Sequence, residues 1–471
     1  MAIKDLFGQE IKAINLGSPS FADDLKLQNV SVTHLDWTPP CNGDMKLINA
    51  LKKVELYRDK IDAANEEAVK RVKEAEGRLI GIDLAKNVVP GFKDKKIICY
   101  AGPWIKYENM CGPVKGAIIG AILFEGWAKT YEEATKLAES GEIVYEPCHE
   151  HSAVGPMAGI LSPSMPVHII YNEVHGNYAY CSINEGLGKV LRFGANSSDV
   201  IARLEFLRDT FRKVVNDALK IIGGVDVKNI IAQAVQMGDE CHNRNKAATA
   251  LFYKEVAIGI LKTKYSDEEK TKCLEFISKN EHYFLNLSMP YCKVSLDTAR
   301  NIKYSTLVVC MCRNGVEFGI QVAGLGNKWF TYQANFVQGL FFPGFSQDDA
   351  ARDLGDSAIT ETRGIGGFAM ASAPAIVQFV GGKVGDAFNY SLKMNEICLS
   401  SNDSFVIPPL DFKFTAFGVD IIKVIETNVL PIINTGMAHK EPGIGQVGAG
   451  LVTPPYECFV KALEAFIETL E

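Results

Sequence analysis

The stretch KAINLGSPSFADDLKLQNVSVTHLDW, residues 12–37, indicates how the chain begins to fold. A short apolar run ends at Gly17, a helix is predicted from the Ser18-Pro19 turn, and a second apolar run ends at Trp37. A strand, a helix and another strand in this order form a βαβ unit, in which the two strands are parallel. We therefore predict a Rossmann-like βαβ piece at the N-terminus.

Beyond this piece the composition and the pattern of apolar residues change several times, which predicts a multidomain α+β protein. A charged segment from Met45 to Glu76 reads as one helix, RLIGIDL (78–84) as a strand, and the chain ends in an amphipathic helix after Pro455. We predict four domains: a Rossmann-like N-terminal domain (1–94), a glycine-rich α+β domain (95–198), a helical domain with apolar residues at helical spacing (199–301) and a mixed α+β domain (302–471).

Composition excludes several classes of protein. A chain of 471 residues, 47% of them hydrophobic, has enough apolar surface for more than one core. The net charge of -7 is modest and there is no basic stripe, so nucleic acid is not an expected partner. No apolar run is long enough to predict a membrane-spanning segment, and the start MAIKDLFGQE lacks the apolar core of a signal peptide. We expect a cytoplasmic protein.

The 12 cysteines are scattered, without a Cys-x-x-Cys pair. Only Cys310 and Cys312 lie close together, and alternation along a strand places both on one face. Without a secretory signal, reduced and buried thiols are the better account of these residues.

The polar run MGDECHNRNK, residues 237–246, is the strongest functional signal. An acid, an imidazole, a guanidinium and several amides follow one another with almost no apolar residue between them. On a helix, Asp239, His242, Asn243 and Lys246 would share one face. A solvated helix face is the alternative, but Asn, His and Asp are mediocre helix formers. We predict a polar binding site that includes Arg244 and Asn245.

Glycine-rich loops supply candidate anion sites. In DLGDSAITETRGIGGFAMASAP, residues 353–374, Gly364, Gly366 and Gly367 precede an apparent helix, and Arg363 stands beside its positive end. Ser357 and Glu361 add a hydroxyl and a carboxylate. A tight turn that needs glycine is the alternative. The run GIGQVG, 443–448, matches a dinucleotide fingerprint but not its βαβ context, and a Walker A sequence is absent, so no nucleotide cofactor is predicted.

Three smaller clusters are weaker candidates. Cys148-His149-Glu150-His151 resembles metal chemistry, with both histidines on one strand face, but a complete ligand set cannot be read from sequence. We therefore predict no metal and treat His151 as a polar site residue. Arg313-Asn314 ends a strand and could bind a carboxylate, or form a hairpin corner. His439 precedes the last glycine loop, with a solvated cap as the alternative.

Together these runs resemble the YlbE/YahG family, a family catalogued as a domain of unknown function. The matching runs extend over the whole chain: His34–Pro40, Asn109–Pro113, Phe124–Trp127, Asn184–Gly188, Met237–Asn245, Arg313–Gly315, Gly355–Glu361 and His439–Gly450. The family includes the AllG-type subunit of oxamate carbamoyltransferase, which converts oxalurate and phosphate to oxamate and carbamoyl phosphate during allantoin and purine catabolism. The resemblance thus implies an FdrA-like protein partner, a third small subunit and a small anionic amide substrate.

Such chemistry needs a phosphate cradle, a carboxylate clamp, donors for the developing oxyanion and a proton donor for the leaving nitrogen. Arg363 with the 364–367 loop suits the first role and Arg313 with Arg244 the second. Asn243, Asn245 or the loop amides suit the third. His242 or His439 suits the fourth, and Asp239 is a further candidate catalytic residue.

Two other interpretations stay open at this point. The chain could be a non-catalytic assembly partner of an FdrA-like subunit, in which case a large exposed apolar surface is expected. It could also be a metal-dependent amidohydrolase built on residues 148–151. A homodimer is the default expectation for an enzyme of this kind.

Overall fold

The computed structural model describes residues 11–35, 39–93 and 95–470, and its mixture of helices with several small sheets confirms the predicted α+β class. The α-helices are α1 (Pro19–Leu27), α2 (Met45–Glu55), α3 (Arg58–Glu74), α4 (Ala85–Val88), α5 (Gly112–Phe124), α6 (Tyr131–Glu139), α7 (Ser198–Phe206), α8 (Arg212–Ile222), α9 (Val227–Gln236), α10 (Lys246–Lys262), α11 (Asp267–Lys279), α12 (Leu285–Leu296), α13 (Ile359–Thr362), α14 (Val377–Val380), α15 (Val384–Lys393), α16 (Ile421–Thr427) and α17 (Tyr456–Ile467).

The β-strands are β1 (Lys12–Leu16), β2 (Ser31–Leu35), β3 (Arg78–Leu84), β4 (Ile97–Tyr100), β5 (Val144–Pro147), β6 (Ala153–Val154), β7 (Pro166–Tyr171), β8 (Tyr178–Ser182), β9 (Val225–Asp226), β10 (Val308–Asn314), β11 (Glu317–Val322), β12 (Phe330–Gln333), β13 (Gln338–Phe341), β14 (Leu354–Gly355), β15 (Cys398–Ile407), β16 (Lys413–Val419), β17 (Ile433–Ala438) and β18 (Gln446–Val452). None of the helices in the described part of the chain has both the length and the apolar character needed to cross a bilayer.

The structure divides into two compact units, Met1–Asn49 and Ala50–Glu471. In the first unit β1 and β2 are parallel, with α1 between them in sequence, as the βαβ pattern predicts. Two strands are fewer than a Rossmann sheet contains, so the Rossmann-like detail stays a prediction. The predicted end of the second strand, at residues 36–37, lies outside the described residues. The division into four domains also stays a prediction.

In the second unit the largest sheet has the order β6-β8-β7-β3-β9, and β3 pairs antiparallel with β7. Helix α12 packs against β7 and β8 on one side and against α13 on another. Every residue of α12 is buried, because it lies between the sheet and the C-terminal part of the chain. This helix supports the segment that carries the candidate site.

A second sheet, β12-β11-β10-β14, presents the other half of the site. Its centre is β10, in which all seven residues are buried, and β10 forms an antiparallel hairpin with β11. The residues from β14 through α13 then return along β10. The run GIGQVG connects β17 to β18 in another antiparallel hairpin, so it is not followed by the helix that a dinucleotide site needs.

Three predicted elements differ from the structure. The segment 45–76 forms two helices, α2 and α3, rather than one. Residues 237–245 form a loop between α9 and α10, because Gly238 has a φ of +93° and Cys241 a φ of 62°, which a right-handed helix cannot contain. Residues 148–151 form a turn of 3-10 helix, so His149 and His151 do not share a strand face.

Candidate functional site

The loop 237–245 folds around the carboxylate of Glu240, which is buried. Its two oxygens accept the backbone N–H groups of His242 at 2.7 Å and of Arg244 at 2.5 Å. Burial raises the pKa of Glu240 to about 8, and the negative charges of Glu361 and Asp239 act in the same direction, whereas the two backbone hydrogen bonds oppose it. Glu240 was not among the predicted site residues, although it lies within the predicted run.

His242 and Glu361 form the centre of the cluster. Nδ1 of His242 lies 2.8 Å from Oε1 and 3.0 Å from Oε2 of Glu361, and 3.1 Å from the hydroxyl of Thr360. Both side chains are almost completely buried. The opposite ring nitrogen, Nε2, has no hydrogen-bond partner among the described residues. A histidine whose Nδ1 is held by a carboxylate and whose Nε2 is free has the geometry of an acid–base group.

The glycine segment, residues 364–367, supports this arrangement and does not form a phosphate cradle. The N–H of Gly366 donates to the carbonyl of Glu240 at 2.7 Å, and the N–H of Gly367 donates to Oε1 of Glu361 at 2.8 Å. A Cβ on Gly366, whose φ is +63°, would lie 2.2 Å from Oε1 of Glu361. Because these amides already have protein acceptors, the prediction that they bind an anion is corrected: Gly367 orients the carboxylate of Glu361, and Gly366 holds the backbone of Glu240.

Arg313 lies next to this centre in a buried ion pair. Its Nε is 2.8 Å from Oδ2 of Asp353, and its Nη1 donates to the carbonyl of Gly355 and to Oγ of Ser357. Burial raises the pKa of Asp353, although the positive charge of Arg313 opposes that shift. Arg313 is completely buried, so it is not the surface hairpin corner that the sequence left open.

The remaining residues of the loop have mixed roles. Asp239 accepts the N–H of Ala248 at 2.8 Å and thereby caps the start of α10, and burial raises its pKa. Nε of Arg244 donates to the carbonyl of Gly238, but 37% of the Arg244 side chain stays exposed. Buried amide atoms of Asn243 (Nδ2) and Asn245 (Oδ1) have no hydrogen-bond partner within residues 11–35, 39–93 and 95–470. Such atoms are uncommon in proteins and are consistent with a polar ligand or water at this position.

Arg363 does not belong to the cluster, which corrects its predicted role beside the glycine loop. Its guanidinium points into the core, where Nε donates to Oγ of Ser295 and Nη1 to Oδ1 of Asn402. The carbon at its centre lies over the rings of Tyr291, Phe405 and Phe417 at 4.8 to 5.8 Å. The side chain is completely buried, because stacking on three aromatic rings covers both of its faces.

Three other predicted residues also have local contacts away from His242. Nδ1 of His439 accepts the N–H of Glu441 at 2.9 Å, and its ring packs against Phe345. His151 faces two acceptors, the carboxylate of Glu146 at 2.5 Å and the carbonyl of Pro90 at 2.6 Å. Asn314 closes the β10–β11 hairpin by accepting the N–H groups of residues 316 and 317. Gly364 donates its N–H to the carbonyl of Glu361 at 3.0 Å, and a Cβ on Gly364 would lie 2.3 Å from the carbonyl of Ala416.

A second polar cluster surrounds His149. Its Nε2 lies 3.5 Å from Sγ of Cys310 and 3.4 Å from Oδ1 of Asp356, and the thiol of Cys312 is adjacent. Burial opposes ionisation of Cys310, but the hydrogen bond with Cys312 and the neighbouring His149 outweigh it and lower the pKa of Cys310 to about 5. The pKa of His149 is correspondingly raised to about 9, against its burial, by Cys310 and Asp356.

His149 also lines a polar cavity of about 570 Å³. Lys293 and Arg300 lie in the wall of this cavity, and both contact the carboxylate of Asp297, at 2.8 Å and 2.5 Å. The sequence indicated Cys310 and Cys312 on one strand face, but it did not predict this site. Nothing in the local pattern joins residues 160 positions apart, and only the tertiary fold brings them together.

Comparison with known proteins shows to which family the chain belongs. Its residues 143–357 match the model of the family "AllG: Oxamate carbamoyltransferase subunit AllG". The chain is 48% identical over 467 residues to the Escherichia coli K12 protein named "Uncharacterized protein YahG", with 99% of each chain covered. The chain belongs to the YahG/AllG family.

Two further relatives agree with this assignment. The "Oxamate carbamoyltransferase subunit AllG" of Escherichia coli K12 is 44% identical over 409 residues, which cover 86% of this chain and 98% of AllG. A crystal structure of a "conserved protein of unknown function" from Enterococcus faecalis V583 is similar with a TM-score of 0.86 and 49% identity, and the match covers 88% of this chain and 99% of that one. The YahG/AllG fold therefore extends over most of the chain, including both polar clusters.

Proposed function

We propose that this chain is a subunit of a carbamoyltransferase complex of the oxamate carbamoyltransferase type, converting oxalurate and phosphate to oxamate and carbamoyl phosphate. The observation that carries the proposal is the 44% identity to a protein named as AllG over 98% of that protein. On this proposal the protein works in the cytoplasm in allantoin and purine catabolism, together with an FdrA-like subunit and a third small subunit.

The reaction defines what the site must do. An oxygen of hydrogen phosphate forms a bond to the carbamoyl carbon of oxalurate, and the bond from that carbon to the oxamate nitrogen breaks. The proton of hydrogen phosphate has to reach the departing nitrogen, because oxamate leaves as a neutral amide with its carboxylate intact. One group that first accepts and then donates a proton is sufficient for this transfer.

His242 suits that role. With its proton on Nδ1, the imidazole donates to the carboxylate of Glu361, 2.8 Å away, and the lone pair of Nε2 stays available to accept a proton. Glu361 is itself fixed by the N–H of Gly367, so the orientation of the ring is determined before substrate binds. Pre-orientation of this kind lowers the cost of reaching the transition state.

Arg244 is the arginine of the predicted set that can reach an anionic substrate. Of the three predicted arginines, Arg313 and Arg363 are completely buried, whereas 37% of the Arg244 side chain is exposed. The unpartnered amide atoms of Asn243 and Asn245 flank the same loop and can bind the amide groups of oxalurate. The burial of Arg313 supports a fixed positive charge behind the site rather than a direct clamp.

The test is carbamoyl phosphate formation from oxalurate and phosphate by the full chain, alone and co-purified with its FdrA-like and small partner subunits. In the assembled complex, His242→Gln is expected to lower kcat by about 100-fold or more, the usual size of a general acid–base contribution. The matched control is His439→Gln, which changes a second buried histidine that contacts Glu441 and Phe345 rather than Glu361, and kcat should change little.

Other outcomes are informative. If the complex lacks turnover with oxalurate, the proposed reaction is wrong, which leaves a different carbamoyl donor or the interpretation as an assembly partner. If the complex turns over but His242→Gln leaves kcat unchanged, the reaction stands and the proposed acid–base group is wrong. Circular dichroism and Tm of each variant separate a loss of activity from a loss of folding.

A further inference from the structure

One nitrogen and two sulfur atoms that can bind a metal lie close together beside the polar cavity that His149 lines. Alternation along β10 places Cys310 and Cys312 on the same face, and the 3-10 turn at residues 148–151 brings His149 against them. Nε2 of His149 and the two sulfur atoms all lie within 4.8 Å of one another, and all three side chains are buried. The histidine and the cysteines come from segments 160 residues apart, so the fold alone creates this group.

We propose that His149, Cys310 and Cys312 bind a divalent zinc ion. A tetrahedral zinc with bonds of about 2.3 Å to sulfur and about 2.0 Å to nitrogen separates those two atoms by about 3.5 Å. Sγ of Cys310 and Nε2 of His149 are 3.5 Å apart. Thiolate and imidazole ligands together favour zinc over magnesium or calcium, which prefer oxygen.

The surroundings are suited to such an ion. Oδ1 of Asp356 lies 3.4 Å from Nε2 of His149, and the carboxylate is held in place by the N–H groups of Gly102 and Gly155. It therefore supplies a fixed negative charge beside the ion. His149 also lines the polar cavity of about 570 Å³, so the group lies next to that cavity. Three protein ligands leave the fourth position of a tetrahedral zinc ion to a non-protein ligand, as in catalytic zinc sites.

The neighbouring residues of the sequence cluster are excluded as ligands by their contacts. The thiol of Cys148 donates to the carbonyl of Gly159 at 3.1 Å, and His151 is held by Glu146 and Pro90. The metal site therefore differs from the one that residues 148–151 suggest by themselves: only His149 belongs to it, and its partners come from β10. This inference is independent of the proposed carbamoyl transfer.

The test uses the full chain and needs no knowledge of the substrate. Purified protein is supplemented with zinc and then freed of loosely bound ions. Elemental mass spectrometry is expected to find one zinc ion per chain. Replacement of zinc by Co²⁺ should produce the thiolate-to-cobalt charge-transfer absorption and the visible bands of a tetrahedral site. Co²⁺ should also quench the fluorescence of Trp329, whose ring packs edge-on against His149 at 6.0 Å.

Variants give the second measurement. Cys310→Ser and Cys312→Ser should each weaken zinc binding by more than about 100-fold, because even the loss of an outer-shell partner costs about 10- to 100-fold. The control is Cys458→Ser, which alters another buried thiol, bonded to the carbonyl of Phe318, and should leave zinc binding unchanged. Wild-type protein that takes up no zinc, or a cobalt spectrum without the thiolate band, would overturn the proposal and leave a buried thiol–imidazole hydrogen bond. Equal affinity in all three variants would also overturn it.

Discussion

Substituting Arg363 with Ala tests whether this arginine belongs to the core, as the structure has it, or to an anion site. Four hydrogen bonds to Ser295, Asn402, Val72 and Tyr291 would be lost, together with the contacts on three aromatic rings. The hydrogen bonds contribute about 1 kcal/mol each, and the cavity left by a large side chain costs about 2–4 kcal/mol. Release of the buried charge offsets part of this loss. We expect a net loss of about 3–5 kcal/mol in the free energy of unfolding.

Arg244→Ala is the matched control, because sequence reasoning gave both arginines the same task. Its side chain is 37% exposed, donates one hydrogen bond, to the carbonyl of Gly238, and lies 3.6 Å from Oδ1 of Asp239. Its loss should therefore lower Tm by no more than about 2 °C. A loss of about 3–5 kcal/mol corresponds to a fall in Tm of roughly 3–6 °C for Arg363→Ala, because the entropy of unfolding grows with chain length.

The assay is thermal unfolding followed by circular dichroism, with both variants measured beside the wild type in the same buffer. Full activity in the assembled complex is not expected of Arg244→Ala, since this residue is the proposed contact for an anionic substrate. If the Tm of Arg363→Ala equals that of the wild type while the Tm of Arg244→Ala falls, the inference from burial and aromatic stacking is wrong.

Three further predictions concern the buried cluster. Glu361→Gln should lower kcat of the complex by about 100-fold, because the amide no longer fixes the tautomer of His242; an unchanged kcat would exclude this pairing from catalysis. Between pH 4.5 and about 8, Glu240 is protonated in the folded protein but ionised in the unfolded chain. Its contribution to stability is therefore present at low pH and is lost as the pH rises through this window. Tm of Glu240→Gln measured from pH 5 to 8.5 should therefore fall less than that of the wild type, and parallel curves would contradict the raised pKa. Gly366→Ala should destabilise the protein and reduce activity, since its Cβ would meet Glu361 at 2.2 Å, and an unaffected Tm and kcat would refute the close contact.

Much of the local structure could be predicted because it depends on neighbouring residues. RLIGIDL forms β3 over the predicted residues 78–84, and an amphipathic helix does follow Pro455. The two cysteines of β10 were expected on one face, since alternation is a property of any strand. Eleven of the twelve cysteines, all of which lie in the described part of the chain, are buried, as expected of thiols in a core.

The predictions were wrong where the course of the backbone or the direction of a side chain depends on tertiary contacts. Helical spacing suggested that Asp239, His242 and Lys246 share a helix face. The backbone instead turns at Gly238 and Cys241, where φ is positive, and the carboxylate of Glu240 holds the N–H groups of residues 242 and 244. Arg363 was placed at a glycine loop because the two are adjacent in sequence. Its side chain instead points to aromatic rings contributed by α12, β15 and β16.

The sequence by itself determined the α+β class, many of the individual helices and strands, and the region around His242 as a concentration of polar groups. Only the tertiary structure decided which of those groups meet: His242 with Glu361, 119 residues away, and His149 with Cys310, 161 residues away. The reason is physical. Hydrophobic periodicity and turn residues act over a few positions, whereas a buried acid, cation or thiol is stabilised by whichever distant partner packing brings within about 3 to 4 Å.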